Sequence, residues 1–204
     1  MEIYSTEEQQ AEAIKRFFRE NGVSLALGIV LGLGGLYGWK AYNAYKIESA
    51  EATSNAFTAV IESDDALAKS ESFIAEYSGS NYAVLAAFVA AKEAVEQKQL
   101  DKAAEKLSWA AENVKNAELK ATALLRLARV QLAQGSADKA LETLSKTMPE
   151  SFKAQIAEIK GDVLLSKGDS NGARDAYQSA IDNGGAENNP MLQIKLDDLA
   201  QPAK

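Results

Sequence analysis

The run "NGVSLALGIVLGLGGLYGWK", residues 21 to 40, restricts this chain more than any other stretch. From Asn21 to Trp39 there are 19 residues without a charge, bounded by Arg19 and Glu20 on one side and Lys40 on the other. As a helix rising about 1.5 Å per residue they reach roughly 28 Å, close to the roughly 30 Å hydrocarbon core of a bilayer. A soluble core helix would lose about 1 kcal/mol at each of the glycines in this run, whereas membrane helices tolerate them. A cleaved secretory signal should end in a small-x-small site, and a cut among Gly32 to Gly35 is the competing fate. The ending Tyr37, Gly38, Trp39, Lys40 is instead the aromatic and basic border of a membrane interface. The run therefore predicts one uncleaved transmembrane helix over 21–39, after a short segment 1–20.

Gly28 and Gly32 stand four apart, as do Gly34 and Gly38, and Gly35 extends the first stripe. Such stripes let a second helix approach closely within lipid, but glycine is also common in spans with no such role. Lys15, Arg16 and Arg19 precede the span, and Lys40 and Lys46 follow it. That slender excess favours a cytoplasmic N-terminus.

The chain's net charge of −7 lies wholly after residue 46. An acidic domain argues against nucleic acid, which is bound through clustered Lys and Arg. The 158 residues after Lys46 are enough for one domain with a real core. Cysteine is absent, so there is neither a disulfide nor a thiol metal site.

From residue 46 onward Ala, Leu, Glu and Lys dominate, and apolar residues recur at three and four: Ala83, Ala86, Ala87, Ala90, Ala94, then Leu124, Leu127, Ala128, Leu132. This predicts helices at 46–62, 65–77, 81–97, 100–113, 119–134, 137–146, 153–167, 170–182 and 189–200. Turns fall at "SGS", "QKQ", "AQGSA" and "SKGDSN", Pro149 marks a break, and Pro190 opens the last helix.

The helices repeat. Ala128, Gly135 and Ala140 recur 33 residues later as Gly161, Gly168 and Ala173. Ala91, Ala103 and Leu107 precede Ala128, Ala140 and Leu144 by 37. Two helices per period of this length predict stacked hairpins, an α-solenoid, with small residues where paired helices cross closely.

Gly161, Gly168, Ala173, Tyr177 and Ala180 stand in the spacing G-x6-G-x4-A-x3-Y-x2-A, which resembles a tetratricopeptide repeat. The preceding unit has Thr147 at the last alanine, and the one before has Lys98 at the turn glycine. The early tryptophan of the motif is replaced by Ala87, Leu124 and Ala157 in turn. The repeats cover 81–187, after juxtamembrane helices and a degenerate first hairpin in 40–80, with a capping helix and tail in 188–204. The opening "MEIYSTEEQQAEAIKRFFRENG", the glycine-rich span, "LRLARVQ", "LLSKGD-x2-GAR" and "MLQIKLDDL" together resemble the YfgM family of ancillary SecYEG translocon subunits. That resemblance implies a Gram-negative inner-membrane protein with one span and a periplasmic repeat domain. It also implies association with the SecYEG translocon and the membrane-anchored chaperone PpiD, and a part in passing unfolded exported chains to periplasmic chaperones.

In tetratricopeptide repeats the first helix of each hairpin lines the concave face. Here those positions are Leu85, Phe88 and Lys92, then Leu125, Arg129 and Leu132, then Gln155, Glu158 and Asp162. They make a mixed face on which apolar side chains could hold a partner segment and charges could orient it. Equally, Phe88, Leu125 and Leu132 fit a core facing the next repeat, the commoner fate of apolar residues in a stack.

Chemistry is scarce. Without histidine or cysteine, the usual neutral-pH proton carrier and the thiol nucleophile are both missing. Ser136 and Lys139 form S-x-x-K, but the accompanying boxes of serine acyl enzymes are missing and Ser136 suits a helix cap. The pairs Asp64–Asp65 and Asp197–Asp198 diverge along the chain, and "GDSNG" lacks the glutamate of a calcium loop. No cofactor, metal or catalytic group is expected. A membrane-tethered binding module for protein export is the favoured function. A scaffold for another envelope complex is the alternative, and an enzyme is a distant third.

Overall fold

A computed structural model describes residues 7–199, and among them there is no strand. The first helix, α1 (Glu7–Ile61), is longer than the sequence suggests. The sequence sets a helix at 46–62 apart from the span; the structure joins the two without a break. Residues 40–46, "KAYNAYK", contain neither proline nor glycine, so nothing removes a backbone hydrogen bond or loosens the chain there.

The chain divides into two compact units after Ala52. The first is α1 up to that residue. It contains the one helix, among the described residues, long and apolar enough to cross a membrane, and none of its apolar window is buried by protein. Leu27, Ile29, Val30 and Leu31 are all exposed, a row that water disfavours and lipid accepts.

The second unit starts with the last turns of α1. It continues through α2 (Ala66–Glu76), α3 (Asn81–Glu96), α4 (Leu100–Asn113), α5 (Ala117–Ala133) and α6 (Ala137–Leu144). A single 3₁₀ turn (Glu150–Phe152) leads into α7 (Lys153–Ser166), α8 (Ser170–Asp182), the one-turn α9 (Gly185–Asn188) and α10 (Met191–Asp198). Hairpins α3–α4, α5–α6 and α7–α8 stack in order, α2 packs on α3, and α10 closes the far end against α8. The 3₁₀ turn and α9 have no counterpart in the sequence reading. The latter forms where Gly184, at φ 81°, reverses the chain after α8.

Side chains start several of these helices. Asp65, Ser80, Asn116 and Asp169 accept hydrogen bonds from the backbone N–H of Ala68, Ala83, Leu119 and Gly172, satisfying donors that a helix start leaves open. Asn116 thereby starts α5 two residues ahead of the expected 119. Ser136 does occupy the N-cap position of α6, yet its hydroxyl makes no capping bond.

The first helix of each stacked hairpin ends alike. Gln99 N–H donates to the Ala94 carbonyl and Lys98 N–H to Val95; Ser136 and Gly135 repeat this to Gln131 and Leu132, and Asp169 and Gly168 to Leu164 and Leu165. This paired pattern is a Schellman cap, which places one residue in the left-handed region. Gly135 (φ 74°) and Gly168 (φ 80°) fill it with glycine, and Lys98 (φ 62°) does not.

Small residues set the helix spacing. Ala91, Ala103, Ala128, Ala140 and Ala173 are almost wholly buried. At Gly161 a Cβ would be driven into the ring of Tyr177, with Cδ1 2.5 Å away. The core runs along the stack as successive clusters. Leu107, Leu124 and Leu127 belong to one across α2–α5, Leu125, Leu144 and Ile159 to one across α5–α7, and Tyr177 and Leu192 to one at the α8–α10 end. At the near end Val60 packs with Phe73, Ala83 and Ala86. Phe57 lies 5.9 Å from the Phe73 ring and 5.2 Å from Tyr82, and the Tyr82 hydroxyl meets Ser54 Oγ at 3.1 Å.

Candidate partner-binding groove and its capped neighbour

Phe88, Lys92 and Val95 recur at helical spacing and so share one side of α3. On α5, Arg126, Arg129 and Val130 do the same. Because α5 packs mainly on α4, α3 and α5 leave a groove of about 540 Å³ between them. This falls in the size range of pockets that take an organic ligand or an anchoring side chain. Its floor is apolar: Phe88, Val89, Val95, Leu107 and Val130. Its rim carries Lys92, Arg126 and Arg129 against a single carboxylate, Glu96.

The rim charges differ in how they are held. The Arg126 guanidinium lies 4.9 Å from the centroid of the Phe88 ring, a cation–π contact that steers the arginine across the apolar floor. Lys92 Nζ is 3.2 Å from Glu96 Oε1, one turn along α3, and both side chains are well exposed. Such a pair contributes little and is readily exchanged. Arg129 is exposed and has no ion pair or hydrogen bond among the described residues.

On α7, the first helix of the third hairpin, the corresponding face is already occupied. Lys195, on α10, places its ammonium 3.0 Å from Glu158 Oε1 and 2.8 Å from Asp162 Oδ1. Asn189 also donates to Glu158 Oε1 at 2.9 Å, and the buried Tyr177 hydroxyl donates to Asp162 Oδ1 at 2.8 Å. Burial would lower the Lys195 pKa, but its hydrogen bonds to Asp162 and Glu158, and their charges, hold it above the ordinary lysine value. Burial first, and then the bond to Asp162, push the Tyr177 phenol up as well. Arg174 reaches the Leu199 carbonyl and ties down the end of α10.

The residues expected at the partner face thus separate into three sets. Phe88, Lys92 and Arg129 meet in the groove. Leu85 is half-buried against the first core cluster, Leu125 lies inside the second, and Leu132 packs beside it. Glu158 and Asp162 are engaged by α10, and Gln155 is exposed. The span glycines Gly28, Gly32, Gly34, Gly35 and Gly38 face open space, since a Cβ added at any of them meets nothing within 4 Å.

Arg126, Val95 and Val130 were not legible as site residues. They belong to helices separated by α4, and only the stacking register brings them together. Lys195 carried a weak signal, as the one lysine inside the apolar and acidic motif "IKLDDL".

The family model described as "Tetratricopeptide repeat-like domain" matches residues 15–201. The chain is 40% identical over 206 residues to the "Ancillary SecYEG translocon subunit" of Escherichia coli (strain K12), covering 98% of this chain and 100% of that protein. Proteins of the same name from Haemophilus influenzae and Neisseria gonorrhoeae are 32% and 27% identical. They cover 95% and 98% of this chain, and 97% and 100% of their own lengths. No solved structure matches. The relatives are named as ancillary translocon subunits, in agreement with a chain read as non-enzymatic. By this end-to-end identity the chain belongs to the family of ancillary SecYEG translocon subunits, built on a tetratricopeptide repeat-like domain.

Proposed function

We propose that the protein is a single-pass inner-membrane subunit of a SecYEG-type translocon. Its N-terminus is cytoplasmic, and its repeat domain binds partners in the periplasm, a PpiD-type membrane-anchored chaperone among them, and helps hand exported chains to periplasmic chaperones. The supporting observation is 40% identity across a whole relative that bears the translocon name, span included. The basic residues Lys15, Arg16 and Arg19 before the span favour this orientation. The uncovered apolar surface of α1 and the open positions at Gly28, Gly32 and Gly35 suit a helix docked against another membrane helix. The α3–α5 groove, with Phe88, Lys92 and Arg129, is the partner surface in this reading.

Site-specific photocrosslinking in intact membranes tests it, with probes at Leu36 in the span and at Val95 and Arg129 in the groove. Capture of a translocon subunit by the span and of a transiting chain by the groove is the expected result. If the span captures only lipid or its own copy, and the groove a single fixed partner, the protein is a scaffold for a different envelope complex.

A further inference from the structure

Charge on the repeat surface is redistributed by α10. Glu158 and Asp162, the acidic residues of the third hairpin's first helix, are occupied by Lys195. The side chains left to meet a partner at the α3–α5 groove are Lys92, Arg126 and Arg129, with Glu96 as the one opposing charge. A chain of net charge −7 therefore offers a cationic rim around an apolar floor. That rim includes a guanidinium lacking any ion pair among the described residues, Arg129.

Resting on the partner-surface reading above, we infer that the groove selects peptide segments in which apolar residues are flanked by carboxylates. Segments of the same apolar content flanked by lysine are rejected. The floor supplies affinity by burying side chains such as Leu or Phe beside Phe88, Val95 and Val130. A carboxylate at the edge of such a segment meets planar guanidinium forks that donate two hydrogen bonds to its oxygens. A lysine there would face the like charges of Lys92, Arg126 and Arg129, and repulsion of that kind adds to the discrimination that attraction gives. The acidic remainder of the surface would hold an anionic chain off elsewhere, so the groove is where it can settle.

The test is fluorescence anisotropy on the full chain in lipid nanodiscs, with empty discs subtracted. Three labelled peptides share one Leu- and Phe-rich centre and differ only in flanks of Glu, Gln or Lys. The Glu peptide should bind about tenfold more tightly than the Gln peptide, and the Lys peptide more weakly than both. The double substitution R126Q/R129Q should remove the Glu advantage, bringing the Glu and Gln peptides to the same affinity, and R126K/R129K should restore part of it. Both arginines are exposed, and an unchanged circular dichroism spectrum and melting point would show that the fold is intact. Equal binding of all three peptides, or a Glu advantage that survives R126Q/R129Q, would overturn the selectivity. Binding abolished equally for all three by V95E would then leave the groove as the partner surface. If no peptide binds and the Arg129 photoprobe captures nothing, the partner-surface reading falls with the inference.

Discussion

Single backbone positions carry much of the repeat architecture, and two of them make opposite predictions. Lys98 occupies the left-handed residue of a Schellman cap at φ 62°, where the next two hairpins use Gly135 and Gly168. A side chain there costs about 1–2 kcal/mol, partly offset by the freedom glycine would have in the unfolded chain. K98G should therefore stabilise the protein by roughly 1 kcal/mol, read as a higher urea midpoint at unchanged slope. Gly161 is the reverse case. Its missing Cβ makes room for the Tyr177 ring, so G161A should destabilise by about 1–3 kcal/mol despite the better helix propensity of alanine. Replacing Tyr177 with leucine in that background should recover part of the loss. The repeat pattern made this pair legible, because the spacing of Gly161, Gly168, Ala173 and Tyr177 is set by how closely two helices cross. It also exposed Lys98 as the odd residue at a turn. What it could not give was cap geometry: Ser136 has the right identity and position, but its hydroxyl makes no capping bond.

Among the elements, α10 does more than finish the stack. Leu192 is buried against Ala173, Tyr177 and Ala180, and Lys195 supplies the cation between Glu158 and Asp162. Both Lys195 and Tyr177 bind their protons more tightly when folded than the ordinary values of about 10.4 and 10. A pKa raised by folding contributes stability that is complete below the unfolded value and is lost as pH rises through the folded one. Denaturant stability should therefore hold up to about pH 9–10 and decline above it, as these two groups deprotonate. K195M keeps the apolar stem but removes the charge. At neutral pH it should cost about 1–2 kcal/mol, between exposed and buried ion-pair values, and above pH 10 the decline should be shallower than in the wild type. Adding E158Q and D162N to K195M should return much of the loss. A decline of equal steepness in K195M would show that Lys195 plays no part in it. The sequence suggested a capping helix but not what its lysine holds, because that contact joins residues 33 and 37 positions apart.

For the whole molecule, the boundary lies where no composition change marks it. Polarity shifts at Lys40, where the apolar run ends, yet α1 continues to Ile61 and the second unit begins at Thr53. The last turns of α1 belong with the repeats through side chains: Phe57 and Val60 cover Phe73, Ala83 and Ala86, and Ser54 meets Tyr82. None of this is visible from a local pattern, since the contacts that tie the end of α1 to the repeats join residues as far as 28 positions apart. Residues 53–204 should accordingly fold as a water-soluble domain with a cooperative urea transition, whereas residues 63–204 should lose about 3 kcal/mol or more from the uncovered near end. The damage should also stay local. In a stack where each hairpin touches only its neighbours, stability is a sum of repeat and interface contributions, so hydrogen exchange should accelerate in α2 and α3 while α7 and α8 keep their protection. Uniform acceleration across all the hairpins would mean that the clusters along the stack form one cooperative core. In that case the three stretches of repeat sequence encode one indivisible domain.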